Sequence, residues 1–273
     1  MKFLTLKAAD GASGKICSQG AHLCSWIPAQ GEEQLFLSKQ SEWKSGVAIR
    51  GGVPVIFPQF AGMGSLPKHG FARTAEWRLA EHGQESDGTA FARYQLAENI
   101  ARLTIWPYVF EAELCVRLHG QQLQMLFSVS NTGDTALQFT CALHTYLAVR
   151  DIRQAGLIGL QGVTYRDSLQ GGREHIENST VLGIQDETDR IYLNTPPVLQ
   201  LQQAHQVLDI HQQGFSDTVV WNPGAAGAVK LSDLEPGGEQ RMLCVEAAQT
   251  GAPVRLAPGE LWSGVQTLNV QAA

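Results

Sequence analysis

The chain has 273 residues, of which 44% are hydrophobic and 17% charged, and its formal net charge is −6 at pH 7. These fractions are typical of a globular protein and exclude an intrinsically disordered chain. The acidic balance argues against a nucleic-acid partner, because phosphate backbones require a broad basic face.

Alternation of apolar and polar residues dominates the predicted elements. Residues 110–118 place Phe, Ala, Leu, Val and Leu on one face, and residues 123–129 repeat the pattern after a short turn, as half-buried antiparallel strands do. In chain order, we predict strands at 2–8, 14–27, 74–80, 90–96, 101–106, 110–118, 123–129, 137–141, 198–203, 206–211, 218–221, 241–247 and 253–256.

Helical periodicity is scarce, and the short helices that we predict lie around 38–44 and within 225–234. The sequence shows no internal repeat, low-complexity tract or linker-like segment. It therefore predicts an all-β fold in which residues 1–273 form a single antiparallel sandwich domain.

The stretch 50–73 concentrates positive charge in an acidic chain. It carries Arg50, Lys68 and Arg73 and contains no Asp or Glu. Its five glycines and three prolines exclude a regular helix. We predict an ordered loop that packs its Phe side chains inward and directs its cations into a pocket for a small anion.

Some polar residues stand next to apolar strands. His144 lies in the segment CALHTYL, where its ring is either hydrogen-bonded in the core or lines a cavity. Glu260 follows a Pro-Gly turn, and poor solvation there would raise its carboxyl pKa towards the range useful for proton transfer; the alternative is an ordinary turn acid. Asp189 and Arg190 precede a strand, and the residues alone favour a solvated turn pair.

The five cysteines are scattered and form no Cys-x-x-Cys motif, which is typical of buried thiols in a reducing compartment. The N-terminus lacks the features of a signal peptide, and no apolar run approaches the ~18–20 residues that span a bilayer. We therefore expect a cytoplasmic protein with no membrane partner. Because metal-ligand spacing, a P-loop, a dinucleotide fingerprint and a nucleophile elbow are all missing from the sequence, we expect no metal and no cofactor.

Taken together, several segments resemble the aldose 1-epimerase superfamily, and specifically its hexose-6-phosphate mutarotases. They occur in the family's order and are IRGGVPVIFPQF, LPKHGFAR, WPYVFEAEL, ALHTYLAV, GVTYRDSL, TDRIYLNT, VVWNP, MLCVEAA and LAPGELWSGVQTL. The resemblance implies a galactose-mutarotase-like β-supersandwich with a sugar cleft across one sheet, and a cofactor-free reaction on a sugar phosphate.

The resemblance also implies roles for single residues. His144 matches the family's catalytic histidine and Glu260 its catalytic glutamate. As general acid and general base, they would open and reclose the sugar ring and so exchange the α and β anomers of a hexose 6-phosphate, with glucose 6-phosphate the expected substrate.

Five further positions match substrate contacts of the family: Arg50, Lys68, His69, Arg73 and Asp189. Lys68 stands where the family commonly has a glutamine, and which of the three cations contacts phosphate is left open. Two other functions also stay open, namely a non-catalytic sugar-phosphate sensor and an epimerase for unphosphorylated aldoses. We expect a monomer or a weak homo-oligomer.

Overall fold

A computed structural model describes residues 1–271 as strands joined by loops and a few short helices. The strands are β1 Phe3–Lys7, β2 Ser13–Cys17, β3 His22–Ile27, β4 Val55–Ile56, β5 Arg78–Gln84, β6 Ala90–Ala97, β7 Phe110–His119, β8 Gln122–Asn131, β9 Leu137–Leu143, β10 Tyr146–Ala148, β11 Gly156–Ile158, β12 Thr164–Asp167, β13 Arg173–Ile176, β14 Val181–Gly183, β15 Thr188–Tyr192, β16 Val198–Gln203, β17 Gln206–Gln213, β18 Asp217–Asn222, β19 Met242–Leu256 and β20 Leu261–Val270. The α-helices are α1 Ile100–Ile105 and α2 Gly224–Ala228, and 3-10 helices occur at Ala72–Thr74, Ile152–Gln154, Ser168–Gln170 and Gly238–Arg241.

The strands within residues 1–271 form three sheets. The larger two are an eight-stranded sheet, in the order β13-β12-β15-β18-β19-β9-β4 with β10 paired to β19, and a nine-stranded sheet, in the order β14-β11-β16-β17-β20-β8-β7-β6-β5. Strands β1, β2 and β3 form the third. Every strand pair in them is antiparallel, as the alternating sequence pattern predicts.

The main core lies between the two large sheets. Val245 and Ala247 of β19 point into it, and so do Phe127 of β8 and Leu268 of β20 from the other sheet. Because successive side chains of a strand alternate between faces, Glu246, which lies between Val245 and Ala247 in β19, faces the opposite way. That outer face of the eight-stranded sheet carries the candidate active site described below.

Most predicted elements agree with the structure, and the disagreements are local. The prediction of a strand at 101–106 is wrong, because α1 covers most of this segment. The helix predicted at 38–44 is absent from the described residues. The predicted strands 241–247 and 253–256 are parts of the single strand β19, which carries a register shift against β9. The helix predicted within 225–234 is present only as α2.

The five cysteines are free and buried, as predicted. None of the described helices is long and apolar enough to cross a membrane. The assignment of residues 1–273 to a single domain stays a prediction, and its last two residues lie outside the described range.

Candidate active site

A cavity of about 310 Å³ opens on the outer face of the eight-stranded sheet. This volume is within the range of pockets that take small organic ligands. Its lining is Arg50, Phe60, Ala61, Met63, Lys68, His69, Arg73, His144, Ser168, Asp189, Ile191, Val219, Trp221, Leu231 and Glu246. The structure therefore brings together six of the seven residues that the sequence nominated, and leaves out Glu260.

The floor of the cavity follows from strand register. Glu246 of β19 lies opposite Val219 of β18, which in turn lies opposite Ile191 of β15. On its other side, β19 pairs with β10 at Met242–Cys244 and with β9 from Ala247 onward. His144 lies in the break between β9 and β10. Glu246 and His144 are thus side-by-side neighbours on one face although 102 residues separate them in sequence (246 − 144).

Glu246 and His144 form a buried acid–base pair. Oε1 of Glu246 lies 3.3 Å from Nδ1 of His144, and the two side chains are 1% and 10% exposed. The pair is not aligned for a hydrogen bond, and neither His144 Nδ1 nor Glu246 Oε2 has a partner within residues 1–271. Unpartnered buried polar atoms are costly in a folded protein, so their presence here indicates groups held ready for a ligand.

The electrostatic surroundings push both members of this pair towards their neutral forms. Burial, and then the nearby Asp189, raise the pKa of Glu246 well above its usual value. Burial, followed by His69, Arg73 and Arg50, lowers the pKa of His144 well below its usual value. In the free protein these shifts favour the protonated, neutral carboxyl group of Glu246 and the neutral imidazole of His144.

The loop 50–73 is anchored by aromatic packing, as the sequence predicted. The ring of Phe57 is fully buried and contacts five other aromatic rings at centroid distances of 5.2 to 6.0 Å. Gly70, with φ of +66°, crosses the backbone of Phe57 so closely that a Cβ atom would lie 2.3 Å from its carbonyl oxygen. The loop can therefore hold its polar side chains rigidly over the cavity.

The two arginines of this loop differ in their partners. Arg50 forms an ion pair with Asp233 at 3.1 Å, and its Nη1 donates to the hydroxyl of Tyr146 at 3.0 Å. Arg73 donates from Nη2 to the carbonyl of Lys68 at 3.1 Å, while its Nε is buried without a partner in the described chain. Arg73 forms no ion pair within residues 1–271. The charge of Arg73 is therefore available to a ligand.

His69 and Asp189 also line the cavity. His69 has the uncommon φ of +68°, and its Nδ1 accepts from the backbone N–H of Ala61 at 3.3 Å. Burial, then Arg73, Lys68 and Arg50, lower the pKa of His69 to about 3. Its neutral ring must then carry a proton on Nε2, which makes it a hydrogen-bond donor. Burial raises the pKa of Asp189, against the opposing effects of Ser168 and Lys68.

The placement of Glu260 corrects the expectation from sequence. Its side chain is exposed in the turn between β19 and β20, and its Oε2 accepts from the backbone N–H of Ala257. The expected poor solvation of this carboxylate is therefore wrong. The residue that sequence reasoning missed is Glu246, and the available signal was a single acidic residue inside the otherwise apolar strand segment MLCVEAA.

One side-chain group among the described residues has the composition of a metal site. His144, Cys244 and Glu246 offer ligand atoms within 4.8 Å of one another. The cavity above them is lined by Arg50, Lys68 and Arg73, whose positive charge opposes a divalent cation. We therefore assign this group to acid–base chemistry.

Buried histidines make the stability of the fold depend on pH. Burial lowers the pKa of His22 to about 4, below its value in an unfolded chain, as also for His69 and His144. At these histidines the unfolded state binds more protons between pH 6.5 and 4, so each of them lowers the free energy of unfolding as the pH falls through this window, while the raised pKa of Glu246 acts in the opposite direction. We expect each histidine to contribute up to about 1.4 kcal/mol per pH unit to the slope of the free energy of unfolding against pH. Urea unfolding at pH 7, 6 and 5 measures this slope.

The variant His22→Gln serves as the control for this pH dependence. His22 donates from Nε2 to the carbonyl of Gly51 at 2.8 Å, and a glutamine amide can also donate without titrating. The slope between pH 7 and 5 should decrease in the variant. An unchanged slope would show that His22 does not contribute to it.

Comparisons with known proteins define the class of this one. The chain belongs to the aldose 1-epimerase family, whose sequence model matches residues 2–269. It is therefore an isomerase of the epimerase class with sugar substrates, as the sequence predicted.

Individual relatives agree over most of the chain. A protein of Escherichia coli (strain K12), described as "putative glucose-6-phosphate 1-epimerase", is 36% identical over 84% of this chain and 77% of its own length. One from Cenchrus ciliaris with the same description is 32% identical, over 96% of this chain and 82% of its own. The crystal structure of a "putative mutarotase (YeaD)" from Salmonella typhimurium superposes with a TM-score of 0.91 at 29% identity, covering 99% of this chain and 90% of that one.

The fold prediction is also confirmed. A galactose mutarotase related enzyme from Lactobacillus acidophilus shares the fold with a TM-score of 0.79 at 16% identity, over 99% of this chain and 98% of that one. The all-β, galactose-mutarotase-like architecture thus extends over the whole described chain.

Proposed function

We propose that this protein interconverts the α and β anomers of a hexose 6-phosphate, with glucose 6-phosphate as the primary substrate. Family membership supports the reaction class, and the names of the relatives from Escherichia coli and Cenchrus ciliaris support the substrate. The observation that carries the proposal is the unpartnered pair of Glu246 and His144 at the floor of a cavity lined by three cations.

The reaction needs one base and one acid that return to their starting state. Opening the pyranose breaks the bond between C1 and the ring oxygen, removes the proton of the C1 hydroxyl and adds a proton to the ring oxygen. We assign proton removal to Glu246 and proton donation to His144. The sequence-derived base, Glu260, lies outside the cavity and has no part in this assignment.

Substrate binding can place the proton where this assignment needs it. The positive charges of Arg73 and Arg50 help to lower the pKa of His144, and a phosphate dianion beside them would offset that effect. Because Glu246 Oε1 and His144 Nδ1 lie 3.3 Å apart, a small realignment of the two side chains on substrate binding would let the proton of Glu246 pass to His144. This leaves a carboxylate to accept the C1 proton and an imidazolium to protonate the ring oxygen.

Ring closure reverses these transfers. After opening, Glu246 holds the C1 proton, His144 is neutral, and the substrate is an open-chain aldehyde. Rotation about the C1–C2 bond presents the other face of the carbonyl. Glu246 then protonates the carbonyl oxygen while His144 takes the proton of the attacking hydroxyl, and the opposite anomer forms with no net change in the protein.

The remaining polar residues of the cavity fit a sugar phosphate. Arg73 and Lys68 provide charge-assisted donors for phosphate oxygens. The carboxylate of Asp189 can accept hydrogen bonds from sugar hydroxyls, and His69 can donate from Nε2. These substrate contacts are part of the proposal, as is the supporting role of Arg50 developed below.

The test is anomer exchange measured by NMR on glucose 6-phosphate and on glucose. We expect the wild-type protein to accelerate exchange of the anomeric protons on the phosphorylated sugar well above the uncatalysed rate of that sugar. Acceleration of anomer exchange on glucose should be much weaker, because glucose has no phosphate to pair with the cations of the cavity.

Two outcomes would contradict the proposal. Equal acceleration of both sugars would indicate an epimerase for unphosphorylated aldoses. Tight binding of glucose 6-phosphate without acceleration would indicate a sugar-phosphate sensor.

A further inference from the structure

The side chain of Arg50 is engaged mainly by the protein itself. Its Nε donates to Asp233 Oδ1 at 3.2 Å, Nη2 lies 3.1 Å from Asp233 Oδ2, and Nη1 donates to Tyr146 Oη at 3.0 Å. All three nitrogens of the guanidinium therefore have an acceptor, and the contact with Asp233 is bidentate. By contrast, Arg73 has a single acceptor, a backbone carbonyl, in the described chain.

Tyr146 connects Arg50 to the acid–base pair. Its ring lies flat on the ring of His144, with centroids 4.7 Å apart and planes inclined by 9°. The ring of Trp221 is nearly perpendicular to both rings, at centroid distances of 6.0 Å. Tyr146 is buried and does not line the cavity, so any effect that it has on a substrate must pass through neighbours that do, His144 and Arg50.

We propose that Tyr146 is a positioning residue for His144 and that Asp233 and Arg50 hold Tyr146 in place. The stacked ring fixes the plane of the imidazole, and the hydroxyl bond to Arg50 fixes the stacked ring. The inference rests on the proposed function for the reaction that His144 performs. It gives Arg50 a supporting role in proton transfer in addition to the substrate contact that the resemblance implied.

Proton transfer by His144 requires a fixed orientation of its ring. The His144 ring has no hydrogen-bond partner at Nδ1 within residues 1–271, so hydrogen bonding at that atom does not fix its orientation. Proton transfer depends steeply on alignment, and a displacement of about 1 Å can cost about 100-fold in rate. Loss of the support should therefore lower kcat, to a similar extent for phosphorylated and unphosphorylated sugars, and leave KM nearly unchanged.

Three variants test this chain of contacts. Tyr146→Phe keeps the stacked ring and removes its bond to Arg50, Asp233→Asn weakens the hold on Arg50, and Tyr146→Leu removes the stacking. We expect kcat on glucose 6-phosphate to fall about 10-fold in the first two and about 100-fold in the third, with KM changed by less than about twofold. In the double variant Tyr146→Phe/Asp233→Asn the losses should not add, because both act on one chain of contacts.

A matched control exists elsewhere in the molecule. Tyr165 also stacks on a histidine, His175, at 5.5 Å, and the guanidinium of Arg190 lies over its ring at 4.6 Å. This group does not line the cavity. Tyr165→Phe should leave kcat and KM at wild-type values, which separates the effect at Tyr146 from the general loss of a tyrosine hydroxyl.

The NMR signals of the His144 ring provide a readout that does not depend on turnover. In Tyr146→Phe and Asp233→Asn we expect these signals to shift and broaden, and in Tyr165→Phe to stay unchanged. If Tyr146→Leu fails to fold, the other two variants still decide the question. If the wild-type protein exchanges neither sugar, the proposed function fails, while the ring signals still test the positioning of His144.

Two results would overturn the inference. Unchanged kcat and unchanged His144 signals in Tyr146→Phe and Asp233→Asn would remove the positioning role. An increase in KM for glucose 6-phosphate alone, with kcat retained in these variants, would show that the contacts among Asp233, Arg50 and Tyr146 serve phosphate binding and not the positioning of His144.

Discussion

Replacing Glu246 by glutamine should lower catalysed anomer exchange about 10²–10⁴-fold, the typical contribution of general acid–base assistance. The amide has nearly the shape of the carboxyl group but neither accepts the C1 proton nor carries one back. Because Glu246 is 1% exposed, no water molecule can easily replace it. NMR exchange of glucose 6-phosphate measures the rate, and calorimetric titration should show that sugar-phosphate binding persists.

Glu260→Gln is the matched control for this experiment. The chemical change is the same, but it falls on an exposed side chain in the turn before β20. Exchange should stay at the wild-type rate. The opposite pattern, loss in Glu260→Gln and retention in Glu246→Gln, would restore the base that the family resemblance implied.

Strand alternation predicted most of the fold because it reports directly on burial. The prediction for 198–203 matches β16, and the prediction for 110–118 lies within β7. It failed at α1, where Thr, Ile and Trp favour a strand. There the side chain of Asn99 accepts from the backbone N–H of Arg102 and caps a helix with no buried residue. Local capping outweighed strand propensity in this segment.

The site was harder to predict because strand register assembles it. The loop 50–73 is contiguous, so its cations and its aromatic anchors could be identified from composition. Glu246 reaches His144 only through the pairing of β19 with β9 and β10, which the sequence does not show. Glu260 was expected to be poorly solvated at the start of a strand, but the turn that precedes β20 leaves it in solvent.

The two parts of the cavity have different physical origins and different proposed tasks. The eight-stranded sheet supplies the buried pair of Glu246 and His144, whose environment favours neutral forms. The loop supplies Arg73 and Lys68, whose positive charges favour the binding of an anion. We infer that the loop selects the phosphorylated substrate. We also infer that the bound phosphate offsets the effect of the loop's cations on His144 and so favours the proton arrangement that the reaction needs.

Replacing Arg73 by alanine should lower kcat/KM for glucose 6-phosphate about 100-fold and change the rate on glucose little. Hydrogen bonds to charged groups contribute about 1.5–3 kcal/mol, and a factor of ten corresponds to about 1.4 kcal/mol. The guanidinium donates within the described chain only to the carbonyl of Lys68, so its removal leaves no carboxylate unpaired. Arg73→Lys should recover part of the loss, because a lysine restores the charge but not the planar fork. Inorganic phosphate should inhibit the wild-type protein more strongly than Arg73→Ala. Equal losses on both sugars would show that Arg73 supports the site as a whole and does not select for phosphate.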